Sequence, residues 1–195
     1  MLHAGASSSV QKRLDHFPQF PPLASLGNIE LGDRERPIHF MRAVFDNNIL
    51  VRANPKNAGP ARRLLRLFQA GPNVLVLSRE ILQELERVLL YPRLQKRFQM
   101  TAADIAAFLT ELAESSVLVV PASVPTGLVR DAKDEPVLGN AVAGRADVLC
   151  TRDLDLCDDR VRAFAAERGI RIVGDLELLA FLDGQAARQD LDGLD

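Results

Sequence analysis

The acidic residues most able to do chemistry lie in one stretch of the sequence, between residues 130 and 155. Three of them precede a run of small residues, namely Asp131, Asp134 and Glu135. The other two, Asp153 and Asp155, follow an apolar segment. Carboxylates brought together from a helix start and a strand end are the ligands that hard cations require. The stretch therefore predicts a metal-dependent hydrolase, and other segments must supply the remaining ligands.

Nitrogen and sulfur ligands are scarce where this site is predicted. The three histidines, His3, His16 and His39, all precede the regular part of the chain, and Cys150 and Cys157 have no zinc-ligand spacing. Close carboxylates repel one another, so a bound cation is needed to offset the repulsion. We expect Mg²⁺ or Mn²⁺ rather than zinc. The cysteine usage is typical of a reduced, cytoplasmic protein.

Short apolar segments alternate with helix-like segments from residue 42 onward. This alternation predicts an α/β fold with three layers, α/β/α, and a central parallel sheet of about five strands. Strands are predicted at residues 42–45, 73–77, 117–120, 148–151 and 170–173. Helices are predicted at residues 60–70, 78–90, 101–115, 136–144, 161–168 and 175–182. Ser78 is the predicted N-cap of the second helix, which Pro92 is predicted to stop, and Thr101 with Asp104 resembles a capping box at the start of the third. Asp175 is predicted to cap the last helix, and the segment between the first strand and the first helix is predicted as a loop.

The predicted strand ends bring distant acids to one edge. Asp46 directly follows the first strand and Asp153 follows the fourth, and ligands of open parallel sheets bind beyond the carboxyl ends of the strands. Glu135 begins the helix that leads into the fourth strand. The helix after the second strand offers Glu84 and Glu86 on opposite margins of its apolar face, and periodicity alone does not choose between them.

Each of the other acids also has an ordinary structural explanation. Asp134 and Glu135 stand where a helix dipole favours acids, and we expect one of them to have only that role. Asp131 is either a loop acid or a group supporting the metal ligands, and Asp155 is a weaker candidate than its neighbour in the same loop. Asp147 precedes the fourth strand at its far end, which indicates a structural role.

Composition divides the chain into three segments. Residues 1–40 lack a hydrophobic period and contain several prolines, so we expect a flexible extension or a mis-assigned start before Met41. Residues 41–182 form the predicted α/β domain that carries the site, and residues 183–195 an acidic C-terminal tail. The formal net charge of −2 neither favours nor excludes a nucleic-acid partner. No apolar run is long enough to span a membrane, so a soluble cytoplasmic protein is expected.

Four segments share their order and spacing with a known family. They are VFDNNIL from Val44, LSREILQEL from Leu77, YPRL from Tyr91, and RDAKDEPVL from Arg130 followed by ADVLCTRDLDL from Ala146. Together they resemble the PIN-domain ribonucleases, particularly the VapC-like toxins of toxin–antitoxin systems. The resemblance runs from about residue 41 to residue 182 and implies a PIN-like fold.

The resemblance also implies a set of site residues. The catalytic and metal-binding acids would be Asp46, Glu84, Glu135 and Asp153, with Asp134 and Asp155 as further candidate ligands and with Asn48, Thr151 and Asp131 in support. Glu135 is the third acid because it lies sixteen residues before Thr151, and Asp134 is the alternative. Asn47 departs from the family, which commonly has threonine or serine there. The glutamate at position 135 is a second departure, since many members have aspartate.

For substrate, the resemblance implies RNA cut by a metal-activated water, with a small antitoxin protein as partner. Arg130, Lys133 and Arg93 are the candidates for phosphate contacts, and a homodimer is left open. Two alternatives remain at this stage. One is a catalytically silent PIN-like module that binds RNA or protein, and the other is an aspartyl-phosphate phosphatase with Asp46 as nucleophile. Asn48 counts against the phosphatase, because such enzymes carry a second aspartate at that position.

Overall fold

Five strands form one sheet at the centre of the fold, and every neighbouring pair is parallel. The computed structural model describes residues 40–192, with side chains described as far as residue 185. The strand order is β3-β2-β1-β4-β5. The strands are β1 (Arg42–Phe45), β2 (Val74–Leu77), β3 (Ser116–Leu118), β4 (Val148–Cys150) and β5 (Arg171–Val173).

The helices of the described residues fill the connections between the strands. Right-handed crossovers on either side of β1 place them on both faces of the sheet, which confirms the predicted α/β/α fold. They are α1 (Asn47–Arg52), α2 (Pro60–Ala70), α3 (Arg79–Leu89), α4 (Pro92–Phe98), α5 (Ala102–Glu114), α6 (Glu135–Ala143), α7 (Asp159–Ala166) and α8 (Asp175–Asp192), with a 3₁₀ turn at Ala132–Asp134. None of them is both long and apolar enough to cross a bilayer.

Local sequence signals explain several of these boundaries. The Ser78 hydroxyl accepts a hydrogen bond from the Ile81 amide at the start of α3, as predicted for an N-cap. Thr101 and Asp104 form the capping box predicted at the start of α5, each side chain bound to the other residue's amide. Buried strands such as β1 are apolar on both faces because helices cover both sides of a parallel sheet.

Two helices were missed by the sequence interpretation. The segment after β1 was predicted as a loop, but Asn47 opens α1, because Ile49 and Leu50 in the same helical turn bury their side chains in the core. Pro92 was predicted only to stop a helix, yet it also begins α4 as a first-turn proline. The last helix continues to Asp192, beyond the end predicted at residue 182. The predicted extension before Phe40 lies outside the described residues.

The strand order creates a crevice at the carboxyl ends of β1 and β4. The chain builds β2 and β3 on one side of β1 and then β4 and β5 on the other, and such switch points are where open sheets bind ligands. The Asp46 amide donates to the Cys150 carbonyl at 3.0 Å, and the Thr151 amide donates to the Val173 carbonyl at 2.9 Å. The residues that follow β1, β4 and β5 are therefore neighbours at one edge of the sheet.

Candidate active site

Asp46 is the buried centre of this edge. It follows β1, precedes α1 and is 5% exposed. One carboxylate oxygen, Oδ2, accepts hydrogen bonds from the Thr151 hydroxyl at 2.6 Å and from the Asn48 side-chain amide. Burial raises the pKa of the Asp46 carboxyl, and the bond from Thr151 offsets part of this rise. The other oxygen, Oδ1, receives neither of these two bonds.

Thr151 links Asp46 to the loop after β4. Its hydroxyl donates to Asp46 and accepts from the Asp153 amide at 2.9 Å, so both sides of the site share one side chain. Asn48 spans the same gap: its amide nitrogen lies 3.3 Å from the Thr151 hydroxyl, and its carbonyl oxygen accepts from the Arg152 amide at 3.3 Å. Asn48 and Thr151 therefore stand where the sequence predicted supporting groups.

Three further acids meet beside this network. Asp134, Asp153 and Asp155 each offer an oxygen, and these oxygens all lie within 4.8 Å of one another. The Asp155 amide donates to the Asp153 carboxylate at 2.8 Å, which fixes the loop that carries both. Asp134 is the last residue of the 3₁₀ turn at Ala132–Asp134, in the segment between β3 and β4. Residues about twenty positions apart in sequence thus share one small volume.

The charges in this volume act on one another. The pKa of Asp134 is raised to about 6, first by burial and then by the nearby charges of Asp153 and Asp46. The charge of Asp153 also contributes to raising the pKa of Asp46. The three-acid cluster and Asp46 therefore form one electrostatic site of four carboxylates. Perturbed carboxyl groups in a crevice are a mark of functional sites.

The structure distinguishes between the two candidates for the third acid. Asp134 belongs to the three-acid cluster, whereas its neighbour Glu135, the first residue of α6, does not. Neighbouring helical residues point about 100° apart, so only one of two consecutive acids can face a given point. The sixteen-residue spacing from Thr151 favoured Glu135, and the geometry favours Asp134.

Glu84 lies outside the three-acid cluster. It is half-buried on α3, and its carboxylate pairs with the guanidinium of Arg87, one helical turn later. Arg87 also donates to the Tyr91 hydroxyl. The sequence predicted Glu84 as a metal ligand, and that role stays a prediction.

The predicted phosphate-binding residues occupy different positions. The Arg130 guanidinium contacts both carboxylate oxygens of Asp155, at 2.7 and 3.1 Å, and its side chain is 83% exposed. Lys133 is exposed in the 3₁₀ turn, where its amide is capped by the Asp131 carboxylate at 3.0 Å. Arg93 is exposed in the first turn of α4. Arg130 and Lys133 therefore flank the acids, and Asp131 supports the turn that carries Asp134.

Sequence reasoning missed one pair at this edge. The Arg152 guanidinium bonds to Asp175, which is fully buried at the start of α8. The sequence interpretation treated Asp175 as no more than the cap of the last helix. An arginine between two site residues was the one available signal, and its partner could not be identified without the fold.

The donor set suits a hard divalent cation. The cluster offers carboxylate oxygens alone, the ligands that Mg²⁺ and Mn²⁺ prefer. Ligand oxygens at about 2.1 Å from an octahedral Mg²⁺ are at most about 4.2 Å apart. The spacing of 4.8 Å or less is thus within a small side-chain movement of a coordinating geometry.

Comparisons with known proteins identify a family. The family model of the PIN domain matches residues 42–155. No curated protein sequence matches the chain. One similar solved structure is that of VapBC2 from Rickettsia felis bound to a DNA fragment from their promoter, with 17% sequence identity and a TM-score of 0.44. The match covers 69% of this chain and 98% of that one.

Proposed function

This chain belongs to the PIN-domain family, and from that premise we propose that it is a metal-dependent endoribonuclease. PIN domains are generally nucleases and generally use divalent metals. The proposal goes further in naming RNA as substrate, Mg²⁺ or Mn²⁺ as cofactor and the four-carboxylate site as the place of hydrolysis. The proposed place of action is the cytoplasm.

The convergence of Asp46, Asp134, Asp153 and Asp155 carries the proposal. These carboxylates come from three separate segments of the sequence. Burial, and after it the nearby negative charges, raise the pKa values of Asp46 and Asp134. Such repulsion destabilises the metal-free fold and is offset when a cation binds. Some of these acids have donors of their own, as Asp155 has Arg130. The pKa of Asp134 is nevertheless raised to about 6, so these donors leave part of the unfavourable electrostatics for a cation to offset.

The residues have separate roles in the proposed reaction. Asp134, Asp153 and Asp155 would hold the metal, with the charge of Asp46 beside them on the buried side. When bound, the metal would supply an activated water and neutralise charge on the phosphate. Thr151 and Asn48 keep the Asp46 carboxylate in place, and Thr151 also fixes the Asp153 amide.

Substrate binding is assigned to the rim of the site. Arg130 and Lys133 lie beside the acids with exposed side chains, which suits contacts to RNA phosphates on either side of the cut. In the hydrolysis, a water oxygen forms the new bond to phosphorus. The bond to the leaving ribose oxygen breaks, and that oxygen takes up a proton.

We further propose that the chain is the VapC-like toxin of a toxin–antitoxin pair. The sequence motifs around the four acids support this assignment. A small antitoxin protein would place a segment in the open crevice, where a basic side chain could pair with the same carboxylates. Blocking the metal site in this way would explain how one small partner inhibits the enzyme.

Titration of Mn²⁺ into the purified full chain, with a panel of RNAs, tests the proposed activity. The wild type is expected to cut RNA with Mn²⁺ and to stop when a chelator is added. Asp46→Asn is expected to lose cleavage, and Asp183→Asn, an exposed acid of α8, to keep it. Cleavage that survives in the double variant Asp46→Asn, Glu84→Gln would exclude this site.

One observation favours a second candidate, a catalytically silent PIN-like module that binds RNA or protein. The Glu84 carboxylate is paired with Arg87 and does not lie in the three-acid cluster, so one of the four acids that the family resemblance implies is not gathered with the others. The same titration separates the two functions. RNA binding that weakens with salt, without any Mn²⁺ binding, would favour the silent module.

A further inference from the structure

The loop after β4 is tied to the last helix by one ion pair. The Arg152 Nε–H donates to Asp175 Oδ1 at 2.5 Å. The Asp175 side chain is 1% exposed and that of Arg152 is 39% exposed. The second oxygen of Asp175 is buried and has no hydrogen-bond partner among the described residues. This carboxylate therefore depends on Arg152.

Burial makes this dependence strong. A buried carboxylate is costly unless a cation and hydrogen bonds compensate its charge, and removing one partner leaves the other uncompensated. Asp175 lies in the first turn of α8, where the helix dipole also favours an anion. The helix start and the arginine together hold the charge in place. The guanidinium in turn has a fixed anchor at the edge of the sheet.

The backbone of Arg152 lies inside the proposed metal site. Its neighbours are Thr151, whose hydroxyl bonds to the Asp46 carboxylate, and Asp153, a member of the three-acid cluster. The Arg152 backbone amide donates to the side-chain oxygen Oδ1 of Asn48 at 3.3 Å. Arg152 is thus held by its backbone on one side and by its side chain on the other, with a site residue on each flank.

We infer that Arg152 and Asp175 are positioning residues of the metal site. By anchoring the loop to α8, the pair keeps Asp153 and the Thr151 hydroxyl in the arrangement that faces Asp46 and Asp134. The inference rests on the proposed function, since it concerns the same site. Asp175 lies beyond the segment that matches the family model, because that segment ends at residue 155.

Loss of the pair is expected to weaken metal binding rather than only stability. Groups that orient metal ligands contribute about 10- to 100-fold to metal affinity or activity. Asp175→Asn and Arg152→Gln are expected to raise the dissociation constant for Mn²⁺ about tenfold. Arg152→Lys keeps the positive charge but loses the planar guanidinium. Its dissociation constant for Mn²⁺ is therefore expected to lie between those of the wild type and Arg152→Gln.

A matched control is available on the same helix. Asp183 of α8 forms an exposed ion pair with Arg63 of α2, through two hydrogen bonds of 2.7 and 3.0 Å. Asp183→Asn also removes an Arg–Asp ion pair of α8, but this pair does not involve the loop that carries Asp153 and Asp155. It is expected to leave Mn²⁺ affinity unchanged.

The experiment uses the full chain and two measurements. Calorimetric titration gives the dissociation constant of Mn²⁺. Amide hydrogen exchange of the metal-free protein reports how often the loop after β4 opens. The Asp153 amide donates to the Thr151 hydroxyl and the Asp155 amide to the Asp153 carboxylate, so both exchange when these bonds break. Faster exchange at these amides is expected in Asp175→Asn but not in Asp183→Asn. Should a single variant not fold, Arg152→Gln with Asp175→Asn removes both charges and leaves no buried ion.

The outcomes separate this inference from the proposed function. Faster exchange at the amides of Asp153 and Asp155 together with weaker Mn²⁺ binding, in folded variants, supports positioning. Unchanged Mn²⁺ affinity in folded Asp175→Asn and Arg152→Gln overturns it, while the wild type still binds metal and the proposed function stands. A wild type that binds no Mn²⁺ overturns the proposed function, and this inference with it.

Discussion

The two ends of β4 carry aspartates in opposite circumstances. At the amino end, Asp147 Oδ2 accepts the Arg42 amide at 2.8 Å, while its own amide and carbonyl bond to the backbones of β1 and β5. At the carboxyl end, Asp153 accepts the Asp155 amide of its own loop and lies in a cluster of acids. Its charge contributes to raising the pKa values of Asp134 and Asp46. One strand thus has a stabilising end and an end that favours cation binding.

The difference shows how a carboxylate's partners indicate its role. A carboxylate bound by backbone amides closes the edge of a sheet and stabilises the fold. Carboxylates that face each other in a crevice cost free energy until a cation arrives. Both residues are aspartates and both are half-buried, so the groups around each carboxylate decide its role.

The largest effect is expected at Asp134. Asp134→Asn removes a cluster carboxylate, and we expect Mn²⁺-dependent cleavage to fall about a hundredfold, the upper end of the range for groups around a metal. Glu135→Gln, the matched control, is expected to change cleavage by less than about threefold, since Glu135 is outside the cluster. Single-turnover cleavage measures both. The reverse order would restore Glu135 as the third ligand.

A smaller effect is expected at the hydroxyl that joins the two sides of the site. Thr151→Val removes the donor to Asp46 and the acceptor for the Asp153 amide. The dissociation constant of Mn²⁺ is expected to rise about 10- to 100-fold. Thr110→Val is the matched control, because the Thr110 hydroxyl donates to the Ala106 carbonyl of its own helix, away from the acids. Equal metal affinity in the two variants would contradict the role of Thr151.

The dependence on pH follows from the raised pKa of Asp134, about 6. Metal binding requires the deprotonated carboxylate, so Mn²⁺ affinity should rise with pH and level off above about pH 6. Below that pH, displacement of one proton gives about a tenfold change per pH unit. Calorimetry at several pH values measures it, and Asp134→Asn is expected to lose this contribution.

The same shift has the opposite consequence for the metal-free fold. Because the pKa values of Asp134 and Asp46 are raised, the folded protein binds protons more tightly than the unfolded chain. The stability that these protons contribute is therefore lost as pH rises through about 4 to 6. A metal-free stability that rose across this window in the wild type relative to Asp134→Asn would contradict the assigned electrostatics.

The smallest effect on metal binding is expected at Asp147. Asp147→Ala leaves the Arg42 amide without its carboxylate acceptor and should lower the free energy of unfolding by about 1–3 kcal/mol. Mn²⁺ affinity of the folded variant should not change. Denaturant unfolding and calorimetry measure the two quantities. A weaker Mn²⁺ affinity at this far end would remove the contrast between the two ends of β4.

Much of the fold follows from local patterns in the sequence. Short apolar runs predicted all five strands, and the caps at Ser78 and Thr101 predicted two helix starts. The order of the elements also placed Asp46 and Asp153 at one edge, since both follow parallel strands. These features depend on residues close together in sequence, where periodicity and capping act.

The missed features depend on contacts between distant segments. Asn47 and Asn48 suggested a turn, but the burial of Ile49 and Leu50 makes the segment helical. Such tertiary burial overrides local propensity. Likewise, nothing near Asp175 in sequence indicates that its carboxylate meets Arg152.

The sequence by itself determined the parallel sheet and the edge at which the acids gather, because the alternation of strands with helices and the strand ends follow from hydrophobic patterns. Only the tertiary structure decided that Asp134, rather than Glu135, joins Asp153 and Asp155. The 3₁₀ turn at Ala132–Asp134 sets which of two adjacent side chains faces the crevice. A spacing counted along the chain does not contain that rotation, since it depends on how the turn packs against the sheet.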